Sequence, residues 1–279
     1  MRKILITGTS GFFGSRLLNY YKEKYILFTP SHSEMDITEY TSVLQYFEQT
    51  SPDIVIHCAA ISDTGTCEKN PELSFQVNVT GSKNISKAAS LYNSKCIFCS
   101  SDQVYCNSNY DDTNCEDDIV TPYNVYGKHK LEAESSCLEL NKNCVFLRLA
   151  WMYDSNIDIT DAHSDFVKQL VQSLKNHTSF SLPINDKRGI TDIWEVVKNM
   201  EKTFDLPGGI YNFGSPNQKS TYDTALSVLT SLSLDTAYLK ERAYDTARNL
   251  SMNQKKLNDF GIYFSSTEDA LINCLKNYY

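Results

Sequence analysis

Residues 2–14 read Arg2-Lys3-Ile4-Leu5-Ile6-Thr7-Gly8-Thr9-Ser10-Gly11-Phe12-Phe13-Gly14. An apolar run of strand character passes into glycines spaced three apart. It then enters a segment whose Phe13, Leu17, Leu18 and Tyr21 fall on one helical stripe. A strand, a Gly-x-x-Gly-x-x-Gly turn and a helix, in that order, form the context a dinucleotide turn requires. Gly8 permits the tight turn, Gly11 lets the backbone approach a pyrophosphate, and Gly14 lets the helix pack closely on the strand. The helix start, with Phe12 and Phe13, then offers free N–H groups and a positive dipole end to phosphates. Only 11 glycines occur in the 279 residues, and three fall within these few positions, so chance spacing is a poor account of them.

Working outward, short apolar strands alternate with helical stretches. Strands are expected at 2–7, 25–29, 53–57, 95–99 and 143–149. Helices are expected at 12–24, 38–49, 71–91 and 122–140, the last with Thr121 as N-cap and Pro122 at its first position. This alternation implies an α/β fold, a Rossmann-like doubly wound parallel sheet covered on both faces. After residue 150 the pattern loosens. Helices are expected at Ser164–Leu174, Ile193–Phe204, Ser220–Leu232 and Thr267–Lys276, with a strand at Gly209–Phe213. The expected division is residues 1–150 as a nucleotide-binding domain and 151–279 as a smaller substrate lobe interleaved with the last strands.

Charge and composition narrow the function. A net charge of −8 and a pI near 5.2 argue against general nucleic-acid binding, which needs a basic surface. No apolar run approaches the ~20 residues that span a bilayer, so no membrane partner is expected. Nine cysteines without framework spacing, and a chain that opens directly into a strand, fit a reducing, cytoplasmic setting. In Cys96-Ile97-Phe98-Cys99 the two thiols stand three apart on a strand and face opposite sides, which argues against a metal or redox pair there. The five histidines show no ligand spacing, and no catalytic metal is expected.

Tyr126 and Lys130 lie at i and i+4 in Tyr126-Gly127-Lys128-His129-Lys130, on one face of the expected 122–140 helix. An ammonium beside a phenol favours the phenolate and lowers a pKa that is ~10 when unperturbed. Ser101 ends the strand-like run before that helix and can hold a carbonyl oxygen. A phosphate turn, a hydroxyl donor and a Tyr/Lys pair describe nicotinamide-dependent carbonyl chemistry. The carboxylate that binds the ribose of NAD is missing from Phe28-Thr29-Pro30-Ser31-His32-Ser33. Ser31 and His32 could instead donate to a 2′-phosphate, so the cofactor is NADP or NAD, with NADP ahead.

With these residues in place, the sequence resembles the extended short-chain dehydrogenase/reductase family, and within it the dTDP-4-dehydrorhamnose reductase group. The segments that carry this are the glycine turn, Met35-Asp36-Ile37-Thr38, Pro52–Ala60, Asn78-Val79-x-Gly81-Ser82, Ser100-Ser101-x-x-Val104-Tyr105, Pro122–Glu134, Arg148–Tyr153, Asn185-Asp186-x-x-Gly189 and Asn249–Leu257. The resemblance implies that Ser101, Tyr126 and Lys130 are catalytic. It implies that Gly8, Gly11, Phe12, Phe13, Gly14, Ser31, His32, Asp36, Ile37, Cys58, Ala59, Ala60 and Asn78 border the cofactor together with Tyr126 and Lys130. Ser62, Asp102, Trp151 and Arg188 would face the substrate.

The chain departs from the group at Thr64-Gly65-Thr66-Cys67-Glu68, where an acidic and a basic residue are usual. It departs again at Arg188, which stands where an aromatic is usual; it could clamp a phosphate or carboxylate, or equally be a solvated loop charge. Gln103 stands where sugar-nucleotide dehydratases place a glutamate, and an amide cannot abstract a proton. The expected activity is NAD(P)H-dependent reduction of a nucleotide-activated 4-keto-6-deoxysugar, with Tyr126 as proton donor. Alternatives are an NAD-dependent sugar-nucleotide epimerase and a non-catalytic regulatory subunit resembling the methionine adenosyltransferase beta subunit. The expected partner is the nucleotide sugar, with a homodimer left open.

Overall fold

The computed structural model describes residues 1–156 and 165–278. In its first half, β1 (Lys3–Thr7), β2 (Ile26–Phe28), β3 (Ile54–His57), β4 (Lys95–Ser101) and β5 (Val145–Leu149) alternate with helices. These are α1 (Phe12–Tyr21), α2 (Tyr40–Thr50), α3 (Thr64–Lys69), α4 (Pro71–Phe75), α5 (Gly81–Leu91) and α6 (Val125–Leu140). A six-stranded sheet runs in the order Gly209–Phe213, β5, β4, β3, β1, β2. β1 pairs in parallel with both β2 and β3, β3 with β4, and β4 with β5. The near-continuous burial of Ile4–Thr7 and of Ile54–His57 is what a parallel sheet covered on both faces demands. Strand order turns about β1, and such a switch point opens a crevice at the carboxyl ends of the strands. The Rossmann-like parallel sheet expected from the sequence is the observed architecture.

The 71–91 helix is interrupted. α4 passes through a π-helical turn at Gln76–Thr80 before α5 begins, a distortion common at functional sites. α6 starts at Val125 rather than at Pro122, which corrects the expected cap. Asn124 has extended backbone (φ −83°, ψ 152°), and its side chain accepts the Gly127 N–H at 2.6 Å, so Asn124 and not Thr121 caps the helix. β4 reaches Ser101, two residues beyond the sequence boundary. α3 was not foreseen; Asp63 caps it by accepting from Thr66 N–H at 2.7 Å.

Two interleaved units make up the chain. The first is Met1–Val104, Thr121–Leu149 and Asn199–Tyr211; the second is Tyr105–Val120, Ala150–Lys198 and Asn212–Tyr279. Segments 105–120 and 199–211 therefore lie across a simple cut at residue 150. In the first unit Leu5, Val55, Phe98 and Phe146 from the sheet pack on Val43 and Phe47 of α2, Ile85 and Ala88 of α5, and Cys137 of α6. Phe98 and Phe146 stack at 4.6 Å between centroids.

In the second unit, helices Phe166–Asn176, Thr221–Ser231 and Thr267–Lys276 bury Phe166, Leu170, Val228, Leu229, Leu271 and Leu275 around Tyr153 and Ile190. Ser164, the expected start of the first of these helices, lies outside the described residues. Three two-stranded parallel pairs complete the unit: Trp151–Tyr153 with Ile190–Asp192, Phe180–Pro183 with Leu239–Arg242, and Asp186–Arg188 with Arg248–Leu250. No helix among the described residues is long and apolar enough to cross a membrane.

A Cβ on Gly14 would stand 2.3 Å from the Gly8 carbonyl oxygen and 2.8 Å from its carbon. Gly14→Ala should cost roughly 1–3 kcal/mol through overpacking, read as a fall in Tm. An unchanged Tm would show that α1 can lift off β1.

Candidate active site

The turn after β1 is built by close approach. Gly8 has φ +71°, and a Cβ there would meet the Ala59 nitrogen at 2.7 Å and Ala59 Cα at 2.8 Å. The ends of β1 and β3 are thus pressed together with no room for a side chain between them. Gly11, at the N-cap of α1, lends no side chain to the first-turn N–H groups. Those donors are what a pyrophosphate would take up. Phe12, Ala59 and Ala60 are half-buried beside this turn, while Phe13 and Gly14 are buried under it.

Behind the turn stands a fixed polar chain. Ala59 N–H donates to Thr7 Oγ1 at 3.1 Å, and Thr7 Oγ1 lies 2.8 Å from His57 Nδ1. His57 is 4% exposed and packs edge-on against Phe98. Burial, aided by the charge of Lys130, pushes its pKa down to about 3, so the imidazole is neutral. Asn78, in the π turn, pins the next stretch: its Oδ1 accepts Ile61 N–H at 2.8 Å, and its Nδ2 donates to Ile61 C=O at 2.9 Å.

Ser101, Tyr126 and Lys130 come together on β4 and α6, each 8% exposed. The Ser101 hydroxyl donates to Asp102 Oδ1 at 3.2 Å and accepts the Gln103 N–H at 3.2 Å. Lys130 Nζ lies 5.5 Å from the Tyr126 ring centroid and donates to the Cys99 carbonyl at 2.7 Å. The phenol pKa moves opposite to the direction the sequence suggests. Burial and then the Asp102 charge push it up, outweighing the nearby Ser101 hydroxyl. Burial pushes the Lys130 ammonium down.

What aims α6 was largely invisible in the sequence. Glu68 Oε1 accepts Val125 N–H at 2.7 Å beside the Asn124 cap. Gln103, seen only as a missing glutamate, accepts from Asn124 Nδ2 at 3.0 Å. Below Lys130, Glu134 is 1% exposed and holds the buried Arg148 through bonds of 3.0 and 2.7 Å, while Ser100 Oγ donates to it at 2.5 Å. Glutamate one turn beyond a Tyr-x-x-x-Lys pair, with an arginine on the next strand, is the signal that could have found this clamp.

Other expected residues are placed less centrally. Ser31 and His32 are exposed after β2, and Ser31 donates both N–H (2.8 Å) and hydroxyl (2.7 Å) to Glu34 Oε2. A carboxylate is therefore present in this turn, one residue past the stretch that lacked it. Asp36 accepts from Thr38 N–H and Oγ1 at 2.9 and 2.7 Å, and Ile37 packs where a Gly81 Cβ would fall. Ser62 is exposed and Asp102 is buried. In the second unit Arg188 Cζ sits 4.8 Å over the Trp151 ring, and Trp151 also meets Phe166 edge-on.

A glycine turn at a parallel-sheet switch point, with a Ser/Tyr/Lys cluster on β4 and α6, defines a Rossmann-like dehydrogenase/reductase. The sequence matches the family described as RmlD substrate binding domain over residues 1–276, and the chain belongs to that family. It is 29% identical over 240 residues to a dTDP-4-dehydrorhamnose reductase of Aggregatibacter actinomycetemcomitans, covering 82% of this chain and 78% of that one. It is 27% identical over 256 residues to methionine adenosyltransferase 2 subunit beta of Xenopus laevis, covering 86% and 75%. The dTDP-4-dehydrorhamnose reductase of Bacillus anthracis str. Ames, solved in complex with NADP, superposes with a TM-score of 0.86 at 22% identity over 99% of each chain.

Two measurements probe this framework. The His57 pKa is depressed on folding, so its stabilisation is complete above about 6.5 and is lost as pH falls towards about 3. The unfolding free energy of the wild type should drop over that window by up to ~1.4 kcal/mol per pH unit, and His57→Asn should flatten the slope in urea titrations. Equal slopes would locate the proton uptake elsewhere. Arg148→Met should cost roughly 3–5 kcal/mol by stranding Glu134, and adding Glu134→Leu should recover much of it. A mild single variant would mean that water reaches the carboxylate.

Proposed function

We propose that the protein is an NADP- or NAD-dependent reductase of a nucleotide-activated 4-keto-6-deoxysugar, similar to dTDP-4-dehydrorhamnose reductase. The observation that carries this is the buried set of Ser101, Tyr126 and Lys130 on β4 and α6, with Lys130 Nζ 5.5 Å from the Tyr126 ring centroid. Bound nicotinamide would supply hydride to the C4 carbon. Ser101 would hold the carbonyl oxygen, and Tyr126 would give it a proton. A phenol kept protonated by burial is in the form that a proton donor requires. Lys130 would stabilise the phenolate left behind.

Gly8, Gly11 and the first turn of α1 would hold the pyrophosphate, Ala59 and Ala60 would line the dinucleotide, and Asn78 would keep the chain after β3 in place. Glu34 occupies the Ser31 hydroxyl, which weakens the sequence argument for NADP. The lean towards NADP rests instead on the NADP-bound Bacillus anthracis relative. Ser62, Asp102, Trp151 and Arg188 are proposed substrate contacts, with the guanidinium–indole stack suited to an anionic or sugar group. A reducing, cytoplasmic setting is part of this reading, from nine cysteines without framework spacing.

A second reading also has an observation behind it. The likeness to methionine adenosyltransferase 2 subunit beta spans 86% of the chain. On that reading the protein would bind coenzyme and act through a partner.

Purified protein would be mixed with NADPH or NADH and with dTDP-4-keto-6-deoxyglucose or its 3,5-epimerised product, and the reduced nicotinamide followed by absorbance. Coenzyme oxidation should fall by ~10²–10⁴-fold in Tyr126→Phe while coenzyme affinity is retained. Coenzyme binding without turnover of either sugar would favour the partner-subunit reading.

A further inference from the structure

The Cys96–Cys99 spacing conceals a different pair of thiols. β3 and β4 pair in register with His57 opposite Phe98, so Cys58 and Cys99 follow as neighbours on one face. Their sulfurs stand 3.6 Å apart and share a hydrogen bond. Adjacent strands lie ~4.8 Å apart, inside the ~4.4–6.8 Å Cα window of disulfides. Both residues are half-buried, whereas Cys96, Cys137 and Cys144 are fully buried.

We propose that Cys58 and Cys99 are an oxidisable dithiol whose closure to a disulfide, driven by a peroxide, weakens coenzyme binding. The effect on binding rests on the coenzyme reading given above; closure of the pair does not. Cys99 would reduce the peroxide ROOH to ROH and become a sulfenic acid. The Cys58 thiol would then attack that sulfur, forming the S–S bond and releasing water. Both electrons come from the two thiols. Its hydrogen bond with Cys58 and the charge of Lys130 hold the Cys99 thiol below its ordinary range, which makes it the attacking sulfur.

Closure must bring the sulfurs to ~2.05 Å, which requires one or both cysteines to move. The Cys58 carbonyl carbon and the Ala59 nitrogen would lie 2.9 and 2.7 Å from a Cβ on Gly8, so movement of Cys58 presses on the phosphate turn. The Cys99 carbonyl accepts Lys130 Nζ at 2.7 Å, so movement of Cys99 displaces that ammonium.

The full chain, free of coenzyme, would be treated with stoichiometric hydrogen peroxide, alkylated and mapped by mass spectrometry without reduction. NADPH affinity would be measured by fluorescence before and after treatment. The expected result is a Cys58–Cys99 cross-linked peptide and a rise in Kd of about tenfold, both reversed by dithiothreitol. Both should be absent in Cys99→Ala, with Cys99→Ser as a second variant, and retained in Cys144→Ala. Absence of the linkage, accumulation of sulfinic acid at Cys99, or a response that persists in both Cys99 variants would overturn the dithiol. Linkage with unchanged affinity would overturn the effect on binding. A reduced protein that binds no coenzyme would overturn the coenzyme reading, while the peptide map still decides whether the pair closes.

Discussion

The Glu134–Arg148 pair sets the height of α6 on the sheet, and the candidate chemistry depends on that height. Both side chains are almost wholly excluded from water, and Ser100 supplies a third bond. A buried ion pair adds little net stability, because desolvation cancels much of the Coulomb gain. Its value is geometric. Any slide of α6 along β4 and β5 would strand a charge in the core, so one register is enforced. Lys130 and Tyr126, one and two turns before Glu134 on α6, are thereby fixed relative to Ser101, the residue after Ser100.

The other end of the site depends on absence of volume rather than on charge. Gly8, Gly14 and Ala59 meet at distances that no Cβ could occupy. The first turn of α1 is thereby pressed onto the end of β1. A clamp of polar bonds behind β4 and a close backbone contact in front of β1 hold two parts of one site by different physics. Between them, His57 and Thr7 tie the strand ends together without adding charge. A protonated imidazole there would face the Lys130 ammonium, and burial prevents it.

Local chemistry made much of this legible in the sequence. Strand–glycine–helix order, buried apolar runs and the i, i+4 Tyr/Lys spacing each depend on residues within a turn or two of one another. For that reason the parallel sheet, the glycine turn and the Tyr126/Lys130 pair on one helix face were legible from residues alone. The α6 cap was misplaced because Pro122 is a good first-turn residue in isolation. The choice fell to Asn124, whose amide also meets Gln103, and to Glu68, 57 residues before Val125.

By itself, then, the sequence determined the class of fold, the glycine turn after β1 and the residues that could do carbonyl chemistry. Periodicity and turn geometry are local properties that survive without a tertiary context. Only the tertiary structure decided what surrounds those residues. It set Tyr126 above the ordinary phenol range, since burial and Asp102 act where the sequence shows only Lys130 nearby. It joined Cys58 to Cys99 across 41 positions, while Cys96 turned to the other face of the strand. Desolvation and strand register arise from contacts between distant segments, and no spacing along the chain encodes them directly.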